Sequence, residues 1–428
     1  MLILSHPTGN ANSRQALLAL YERNLLDGFY TTVAWNGNSM WNKMLPAGVS
    51  RELNRRTYPD IPERLIHSAP VRELCRVLLG RLGMNLGEGA AFSIAEIYRQ
   101  IDRLTADAVS SRRPRAVYAY DGGALETFRA ARRMGVKTIY ELPIASWQSR
   151  RELFFEEAEL QPAFSESLRV ELSGSAEWLR RKDEELELAD QVIVPSAFVR
   201  STLPANIPAD RVQVIPYGAP QVSAGDSWRE PRSKGKLRVL YVGAITQRKG
   251  LSYLLEAMKK VEAAAELTII GSRVGSCAAL DAALQRYEWM PTVPHHVVLE
   301  TMRQQDVLAF PTLSEGFALV ILEAMSQGLP VITTPNSGAE DIITDGEDGF
   351  IVPIRSGEAI AEKLELLARD RDRLAAMSEA ARKKAALHTW ARYRQQVAGV
   401  AGQVLAAPSA SPGSMAHSNA SSTGARRC

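Results

Sequence analysis

The sequence has few cysteines and no long apolar run, and each absence excludes a class of protein. Its three cysteines, Cys75, Cys277 and Cys428, are odd in number and widely spaced, which matches neither a disulfide framework nor a zinc site. No stretch of 18 or more apolar residues occurs, so we expect no membrane-spanning helix. Residues 1–10 lack the basic start and long apolar centre of a secretory signal, and we therefore expect a cytoplasmic protein.

The chain also lacks a strong charge of either sign. Its 51 basic and 48 acidic residues leave a formal net charge of +3, too little to indicate a nucleic-acid partner. The remaining composition, 46% hydrophobic and 23% charged, is typical of a soluble globular protein. At about 150 residues per domain, a chain of 428 residues is expected to form two or three domains.

Short apolar runs alternate with helical patterns along most of the chain. The first strand, a loop with Gly9, and a helix at 15–26 predict the opening βα unit of a nucleotide-binding-like half. Strands are predicted at 1–4, 28–35, 115–120, 137–142, 191–195, 212–216, 237–242, 266–271, 306–311, 330–335 and 349–353. Helices are predicted at 71–82, 124–134, 197–203, 251–264, 296–304, 357–369 and 373–387, and residues 150–190 are predicted to be a solvated, acidic helical pair.

This alternation predicts an α/β protein with two Rossmann-like domains and parallel sheets. We place the N-terminal, acceptor-side domain at 1–220 and the second domain at 236–387. The Ser-, Gly- and Pro-containing stretch 221–235 is predicted to be a linker, and the low-complexity tail 406–428 is predicted to be disordered. Residues 388–405 are predicted to form one more helix.

The segment 311–353 carries the strongest chemical signal. The strand at 306–311 leads through a turn into a helix, and another strand follows, which is the unit that builds a parallel sheet. Glu315 precedes this helix and Glu323 lies about two turns into it, so the two carboxylates point in different directions. Acidic side chains at the carboxyl end of a strand suit sugar hydroxyls, whereas a helix start suits a phosphate.

The start of that helix is expected to offer free backbone donors. The amides of Gly316, Phe317 and Ala318 have no partner within the helix, and Gly316 would let a ligand approach the backbone closely. The alternative interpretation is a capped, solvated helix that carries two incidental glutamates.

A second candidate site is residues 242–250, VGAITQRKG. Gly243 directly follows the strand at 237–242, and Arg248 and Lys249 stand just ahead of the next helix. Adjacent cations in this position can neutralise a pyrophosphate and stabilise charge on a departing phosphate. The alternative interpretation is an exposed surface pair.

These two motifs, in this order, resemble the retaining nucleotide-sugar glycosyltransferases of family 4, whose GT-B architecture has two facing Rossmann-like domains. The resemblance rests on the segments VIVPSAFVRSTL, VIPYGAP, RKGLSYLLEAM and SEGFALVILEAMSQGLPVITT. It implies transfer of a sugar, of the hexosyltransferase type, from a nucleotide diphosphate sugar to an acceptor hydroxyl with retention at the anomeric carbon. It further implies that no metal or other cofactor is needed and that the product belongs to polysaccharide or glycolipid synthesis.

The resemblance also implies roles for individual residues. Glu315, Arg248 and Lys249 would be catalytic, with the two cations on the diphosphate and Glu315 on the transferred sugar. Glu323 would bind the ribose, and the helix at 388–405 would return to the N-terminal domain. The remaining donor-binding residues would be Gly9 (across the cleft), Gly243, Gly316, Phe317, Ala318 and Leu319.

The sequence departs from the family pattern at three places. Ala244 replaces an arginine that many members carry, and we expect Arg248 to supply that charge. Asn10 follows Gly9 where many members have a second glycine. Many members also have a histidine near the reacting sugar, where the comparable loop here has Ser146. The acceptor-side candidates are His6, Asp121 and Ser146, and a simple turn is the alternative role for Asp121.

Three other features are assigned ordinary roles. Asp370 and Asp372 match a metal-binding D-x-D pattern, but their place between two helices predicts a helix cap. His295 and His296 have no further ligand at suitable spacing and do not predict a zinc site. The basic helix at 71–82 is either an ordinary packed helix or a contact for anionic lipid headgroups, which keeps peripheral binding at the inner membrane face as an option.

Two alternative functions stay open at this point. One is another GT-B enzyme, such as a nucleotide-sugar epimerase or a sugar phosphorylase. The other is a protein that binds a nucleotide sugar without catalysis, and tight donor binding with no turnover would favour it.

Overall fold

The computed structural model describes residues 1–35, 53–54, 56–81, 90–220 and 234–407. Nearly all of the predicted linker and tail therefore lies outside the described residues. The chain folds into two compact units. The first unit comprises Met1–Tyr140, Arg180–Gln191 and Val397–Cys428, and the second comprises Glu141–Leu179 and Val192–Gln396. The domain boundary at residue 220 and the return of the last helix to the first domain stay predictions.

The secondary structure is numbered along the described residues. The strands are β1 (Leu2–Ser5), β2 (Leu26–Thr31), β3 (Ile66–Ser68), β4 (Ala116–Tyr120), β5 (Lys137–Glu141), β6 (Gln191–Val194), β7 (Val212–Val214), β8 (Leu237–Val242), β9 (Ala265–Ile270), β10 (Glu288–Met290), β11 (Val307–Phe310), β12 (Val331–Thr333) and β13 (Gly349–Ile351). The helices are α1 (Ala11–Glu22), α2 (Val71–Arg81), α3 (Ile94–Arg112), α4 (Leu125–Met134), α5 (Trp147–Leu160), α6 (Arg169–Leu172), α7 (Ala176–Glu187), α8 (Ala197–Ser201), α9 (Leu251–Lys260), α10 (Ala278–Arg286), α11 (His295–Gln304), α12 (Leu319–Ser326), α13 (Gly357–Arg369), α14 (Arg371–Ala385) and α15 (Trp390–Ala406).

Parallel strands in the order β3-β2-β1-β4-β5 form the centre of the first unit. Every residue of β1 and β4 is buried, as expected for strands covered on both faces by helices. Asp102, buried in α3, accepts hydrogen bonds from the amides of Glu126 and Thr127, both at 2.8 Å. This carboxylate therefore satisfies the donors at the start of α4 from outside the helix.

The second unit contains a six-stranded parallel sheet in the order β10-β9-β8-β11-β12-β13, together with the parallel pair β6 and β7. The chain adds β9 and β10 on one side of β8, and then adds β12 and β13 on the far side of β11. The strand order thus reverses between β8 and β11, and such a reversal opens a crevice at the carboxyl ends of the two strands.

The predicted α/β class is confirmed, and so is the predicted helix Gly357–Arg369. Four elements had no prediction, namely β3, α3, α10 and β10. The two helices predicted within 150–190 are present as α5 and α7, but the prediction that this segment is solvated is wrong at Glu157 and Glu185. The chain turns at a 3-10 segment, Pro162–Leu168, which begins with a proline that cannot continue α5, and Glu157 is fully buried.

One of the ordinary roles and the expectation of no membrane-spanning helix can be compared with the structure. The Asp370 side chain accepts a hydrogen bond from the Arg373 amide at 2.9 Å at the start of α14, which confirms the predicted helix cap. Within the described residues, no helix combines the length and the apolar character needed to cross a bilayer.

Candidate functional site

The candidate site lies where the strand order of the six-stranded sheet reverses. The loop after β8 carries Arg248 and Lys249, and the loop after β11 carries Glu315. The Leu313 amide donates to the Arg248 carbonyl at 2.9 Å, and the Thr312 hydroxyl donates to the same oxygen at 3.2 Å. The structure thus brings together the two sequence motifs, whose residues Arg248 and Glu315 are 67 positions apart.

A glycine is required where the two loops meet. Gly250 has a φ of +69°, and a Cβ atom there would lie 1.9 Å from the Pro311 carbonyl oxygen. Any side chain would push the loops apart, so Gly250 permits the close approach that holds both motifs in one place.

Five charged side chains form one connected group, which we call the charge cluster. The Glu315 carboxylate contacts both the Arg248 guanidinium and the Lys249 ammonium group. Arg248 Nε lies 3.0 Å from Glu171 Oε1, and the other oxygen of Glu171 contacts Arg150. All five side chains are between 10% and 19% exposed, so their charges interact more strongly than on an open surface.

The pKa values in the cluster reflect burial opposed by neighbouring charge. Burial lowers the pKa of Lys249 to about 8, although Glu315 acts in the opposite direction. Burial acts to raise the pKa of Glu315, but Lys249 and Arg248 outweigh it and hold that pKa below its ordinary value. Burial likewise opposes the charge on Arg248, yet Glu315 and Glu171 raise its pKa. At neutral pH Arg248 and Lys249 are therefore mainly cations and Glu315 is a carboxylate.

Glu323 lies in the second turn of α12, as predicted, and it has a partner that the sequence did not reveal. Its Oε1 is 2.9 Å from Nε2 of His295, the first residue of α11. Hydrogen bonding to Glu323 raises the pKa of His295 against the opposing effect of burial. The two helices flank β11 in the chain, and that shared strand is the only signal in the sequence that could have suggested the pair.

The expectation of three free amides before α12 is wrong for Ala318. Its N–H donates to the Ser337 carbonyl at 3.0 Å, because residues 335–341 fold back over the start of the helix. The Glu315 amide is also engaged, on the Asn336 carbonyl at 2.9 Å. The donor-binding roles of Gly316, Phe317 and Leu319 stay predictions.

Packing alone explains why position 316 is a glycine. A Cβ atom at this position would lie 1.7 Å from the Pro143 carbonyl oxygen. The Gly316 carbonyl accepts a hydrogen bond from the buried Ser196 hydroxyl at 2.6 Å. This glycine is therefore required by packing within the second unit, whatever ligand the loop binds.

The segment with α5 and α6 supports the loop that carries Arg248. Gln247 donates from its side-chain amide to Glu157 at 2.6 Å, and its backbone N–H donates to the Ser167 hydroxyl at 2.9 Å. Glu157 also accepts hydrogen bonds from Tyr253 at 3.0 Å and Arg355 at 2.8 Å. Sequence analysis missed Glu157 and Glu171 because their partners are far away in the chain, and an acidic amphipathic segment normally faces solvent.

His6 and Gly9 shape the opening loop of the first unit. The buried His6 ring accepts hydrogen bonds at Nδ1 from the amides of Gly9 at 2.8 Å and Thr8 at 3.1 Å. Burial, with a smaller effect of Arg14, lowers the pKa of His6 to about 3. The ring is therefore neutral, with its proton on Nε2, and its observed contacts organise the loop.

Asp121 and Ser146 also have partners. Asp121 accepts a hydrogen bond from the Tyr140 hydroxyl at 2.8 Å and forms an ion pair with Lys182. The Ser146 hydroxyl caps α5, and its amide donates to the Thr202 hydroxyl at 3.0 Å. His6, Gly9 and Asp121 belong to the first unit, whereas Ser146 and the charge cluster belong to the second. The acceptor-side roles of His6, Asp121 and Ser146 stay predictions.

Comparisons with known proteins find similarity to glycosyltransferases. Residues 225–384 match the family model described as glycosyl transferases group 1. The capsular polysaccharide biosynthesis glycosyltransferase CapM of Staphylococcus aureus is 34% identical over 140 residues, which are 30% of this chain and 36% of CapM. The chain spans about half the length or less of the first curated relatives that it matches.

The solved structures extend the likeness to nearly the whole chain. Sucrose-phosphate synthase from Thermosynechococcus elongatus matches with a TM-score of 0.64 at 17% identity, over 95% of this chain and 99% of the synthase. The Anabaena protein HepE, solved in complex with UDP, matches with a TM-score of 0.62 at 16% identity, over 94% of this chain and 99% of HepE. These likenesses confirm the predicted GT-B fold class with its Rossmann-like parallel sheets.

Proposed function

We propose, on the premise that this chain belongs to the group 1 glycosyl transferases, that it moves a sugar from a nucleotide diphosphate sugar to an acceptor hydroxyl. The observation that carries the proposal is the meeting of Glu315 with Arg248 and Lys249 at the reversal of the sheet. A carboxylate and two cations at one crevice suit a ligand that presents sugar hydroxyls next to phosphates.

Each member of the site has a distinct part in the proposed reaction. Arg248 and Lys249 bind the diphosphate and stabilise the charge that develops on it when the bond to the sugar breaks. Glu315 accepts hydrogen bonds from hydroxyls of the transferred sugar. Glu323 accepts them from the ribose, and His295 releases Glu323 or shares it when the nucleotide binds.

We propose further that the configuration at the anomeric carbon is retained. The leaving phosphate takes the proton of the acceptor hydroxyl on the same face of the sugar at which the new bond forms. This route needs no nucleophile from the protein, so catalysis rests on positioning and on electrostatic stabilisation of the leaving group. The cation pair beside Glu315 supports it, because stabilising the phosphate is what this route demands.

The names of relatives indicate the kind of product. CapM is named for capsular polysaccharide biosynthesis, and the WcaL proteins are named for colanic acid biosynthesis. Other relatives are named D-inositol 3-phosphate glycosyltransferase. We therefore propose a role in polysaccharide or glycolipid synthesis, with a cytoplasmic location and peripheral contact at the membrane as accompanying predictions.

A binding screen tests the proposal at its base. The purified protein is heated with UDP-, GDP-, ADP- and dTDP-sugars, and hydrolysis of each donor is followed in parallel. We expect one donor to raise the melting temperature and to be hydrolysed slowly. Stabilisation without turnover on any acceptor would favour the alternative of a non-catalytic binding protein, and no stabilisation by any donor would contradict both functions.

The stereochemical proposal has its own test. Once a donor and an acceptor are found, NMR coupling at the anomeric carbon of the first product shows whether the configuration of the donor is kept. An inverted product would contradict the retaining route while leaving the transferase activity in place.

A further inference from the structure

Glu171 is the carboxylate of the charge cluster that the proposed reaction does not use. We propose that Glu171 is an internal competitor of the donor's diphosphate for Arg248, and that Arg150 holds Glu171 when Arg248 is taken. The inference rests on the proposed function, because it treats the cluster as a diphosphate site.

The geometry of the Arg248 guanidinium shows why competition arises. A guanidinium presents two bidentate edges to a phosphate, one formed by Nε and Nη2 and the other by Nη1 and Nη2. Glu171 occupies Nε at 3.0 Å, and Glu315 occupies Nη1. Each edge therefore includes one nitrogen atom that lies beside a carboxylate, so neither edge is open. A phosphate that binds Arg248 through two hydrogen bonds must displace one of the carboxylates.

Of the two carboxylates, Glu171 is the one that can give up its contact with Arg248 and gain a hydrogen bond to another residue instead. Its second oxygen already contacts Arg150 Nη2, and Arg150 Nε is buried with no hydrogen-bond partner among the residues that the structure describes. These two nitrogen atoms form one bidentate edge, so a small shift of the Glu171 carboxylate would complete it. Glu315 has no comparable vacancy, because it is already shared between Arg248 and Lys249.

The exchange has consequences for both binding and release. Without the donor, Glu171 stays paired with the guanidinium of Arg248, whose side chain is only 17% exposed. With the donor bound, Glu171 pairs with Arg150 and the phosphate takes the Nε and Nη2 edge. When the nucleotide diphosphate departs, Glu171 returns, which weakens product binding. Removing the carboxylate should therefore tighten the binding of any diphosphate.

Calorimetric titration of the full chain with inorganic pyrophosphate at pH 7 and constant salt tests the competition. We expect Glu171→Gln to tighten pyrophosphate binding about tenfold, since one anionic competitor is lost beside a partly buried cation. Glu156→Gln is the matched control, because Glu156 lies on α5, pairs with Arg355 and is 60% exposed. It should change the affinity less than about twofold. Glu171→Ala serves as a second variant, and thermal melting verifies that each protein is folded.

A double-mutant cycle locates the effect. In an Arg248→Ala background, Glu171→Gln should change pyrophosphate affinity less than about twofold, because the group competed for is absent. A gain that persists in that background would show a general field effect and overturn the proposal, as would weaker binding in Glu171→Gln alone. If the wild-type protein binds a nucleotide sugar but wild type and Glu171→Gln bind pyrophosphate with equal affinity, this inference alone is overturned. Wild type that binds neither ligand overturns the proposed function as well.

Discussion

The loop after β4 and the loop after β8 both meet buried charged side chains at the carboxyl end of a buried strand, but the contacts differ. After β4, the buried Glu185 accepts hydrogen bonds from the amides of Gly122, Ala124 and Leu125 at 2.7 to 3.1 Å. After β8, Arg248 and Lys249 share Glu315, and nearby, within the described part of the chain, Arg150 Nε is buried without a hydrogen-bond partner. A carboxylate that satisfies backbone amides builds structure, whereas charges held by other charges can exchange partners for a ligand.

The largest expected effect concerns the charge cluster after β8, whose members can exchange partners. Changing Arg248→Ala together with Lys249→Ala should lower turnover about 100- to 1,000-fold, and more than it lowers donor affinity, because the cations act on charge that develops as the phosphate leaves. Initial rates and donor Kd values measure the two effects. The matched control removes two exposed cations elsewhere in the second unit, by Arg369→Ala with Lys383→Ala. An unchanged rate in the first variant would remove both residues from the mechanism.

The second prediction concerns Glu185 and the loop after β4, where the carboxylate stabilises the fold. Glu185→Ala leaves three buried amides without an acceptor and should reduce the free energy of unfolding by about 3 kcal/mol, with no change in pyrophosphate affinity. Glu184→Ala is the control, since its ion pair with Arg129 is 40% exposed and should contribute less than about 1 kcal/mol. Urea denaturation measures both. Equal stability of the two variants would show that the comparison between the loops is mistaken.

Glu323 is intermediate between the exchangeable charge cluster and the structural Glu185. Its partner His295 is 58% exposed, so the contact between them can break when a ligand binds. Glu323→Ala should weaken nucleotide binding by about 1–3 kcal/mol, the cost of losing hydrogen bonds to a charged group. Titration calorimetry with the nucleoside diphosphate of the donor found in the screen measures this. His295→Ala is the companion variant and should change binding much less. Equal affinity in Glu323→Ala and wild type would rule out the ribose assignment.

The smallest expected effect concerns the pH dependence of binding. Lys249 faces Glu315 and Arg248, and its pKa of about 8 means that it loses its proton, and its attraction for a diphosphate, as pH rises from 7 to 9. Donor affinity should fall about tenfold over this range. In Lys249→Arg the cation persists and the fall should be much smaller. Ionisation of the donor itself affects both proteins equally. If donor affinity falls with the same slope against pH in wild type and in Lys249→Arg, Lys249 does not titrate in this window.

The same lysine also affects stability, with the sign set by its lowered pKa. Between pH 8 and the unfolded value of 10.5, the unfolded chain holds a proton at Lys249 that the folded protein lacks. The contribution of this group to the free energy of unfolding therefore increases as pH rises through that window. Donor binding favours protonation and acts against this trend.

Local elements were the most predictable part of the fold. The strand before Glu315 and the helix Gly357–Arg369 follow from apolar periodicity and helix-capping signals, which need only neighbouring residues. The α3 helix had no prediction, although Ser93 caps it with a hydrogen bond from the Glu96 amide at 3.3 Å, a serine–glutamate spacing that the sequence displays.

The candidate site was predictable in its parts and unpredictable in its pairing. Arg248, Lys249, Glu315 and Glu323 were predicted as site residues from their positions at strand and helix ends, and their roles stay predictions. Their partners were not, because an ion pair depends on distance in space, and Glu171 reaches Arg248 only after a 3-10 segment redirects the chain. The same reason explains why the Ala318 amide was expected to be free, since the residue that satisfies it belongs to a later turn.

The sequence by itself determined that strands and helices alternate and that cations and carboxylates stand at strand ends, because hydrophobic periodicity and turn residues act over short distances. Only the tertiary structure decided that β8 and β11 lie side by side, and hence that the two motifs share one crevice. It also decided that Glu171 lies between Arg248 and Arg150. Such contacts depend on which burial arrangement the whole second unit adopts, and no local pattern encodes that.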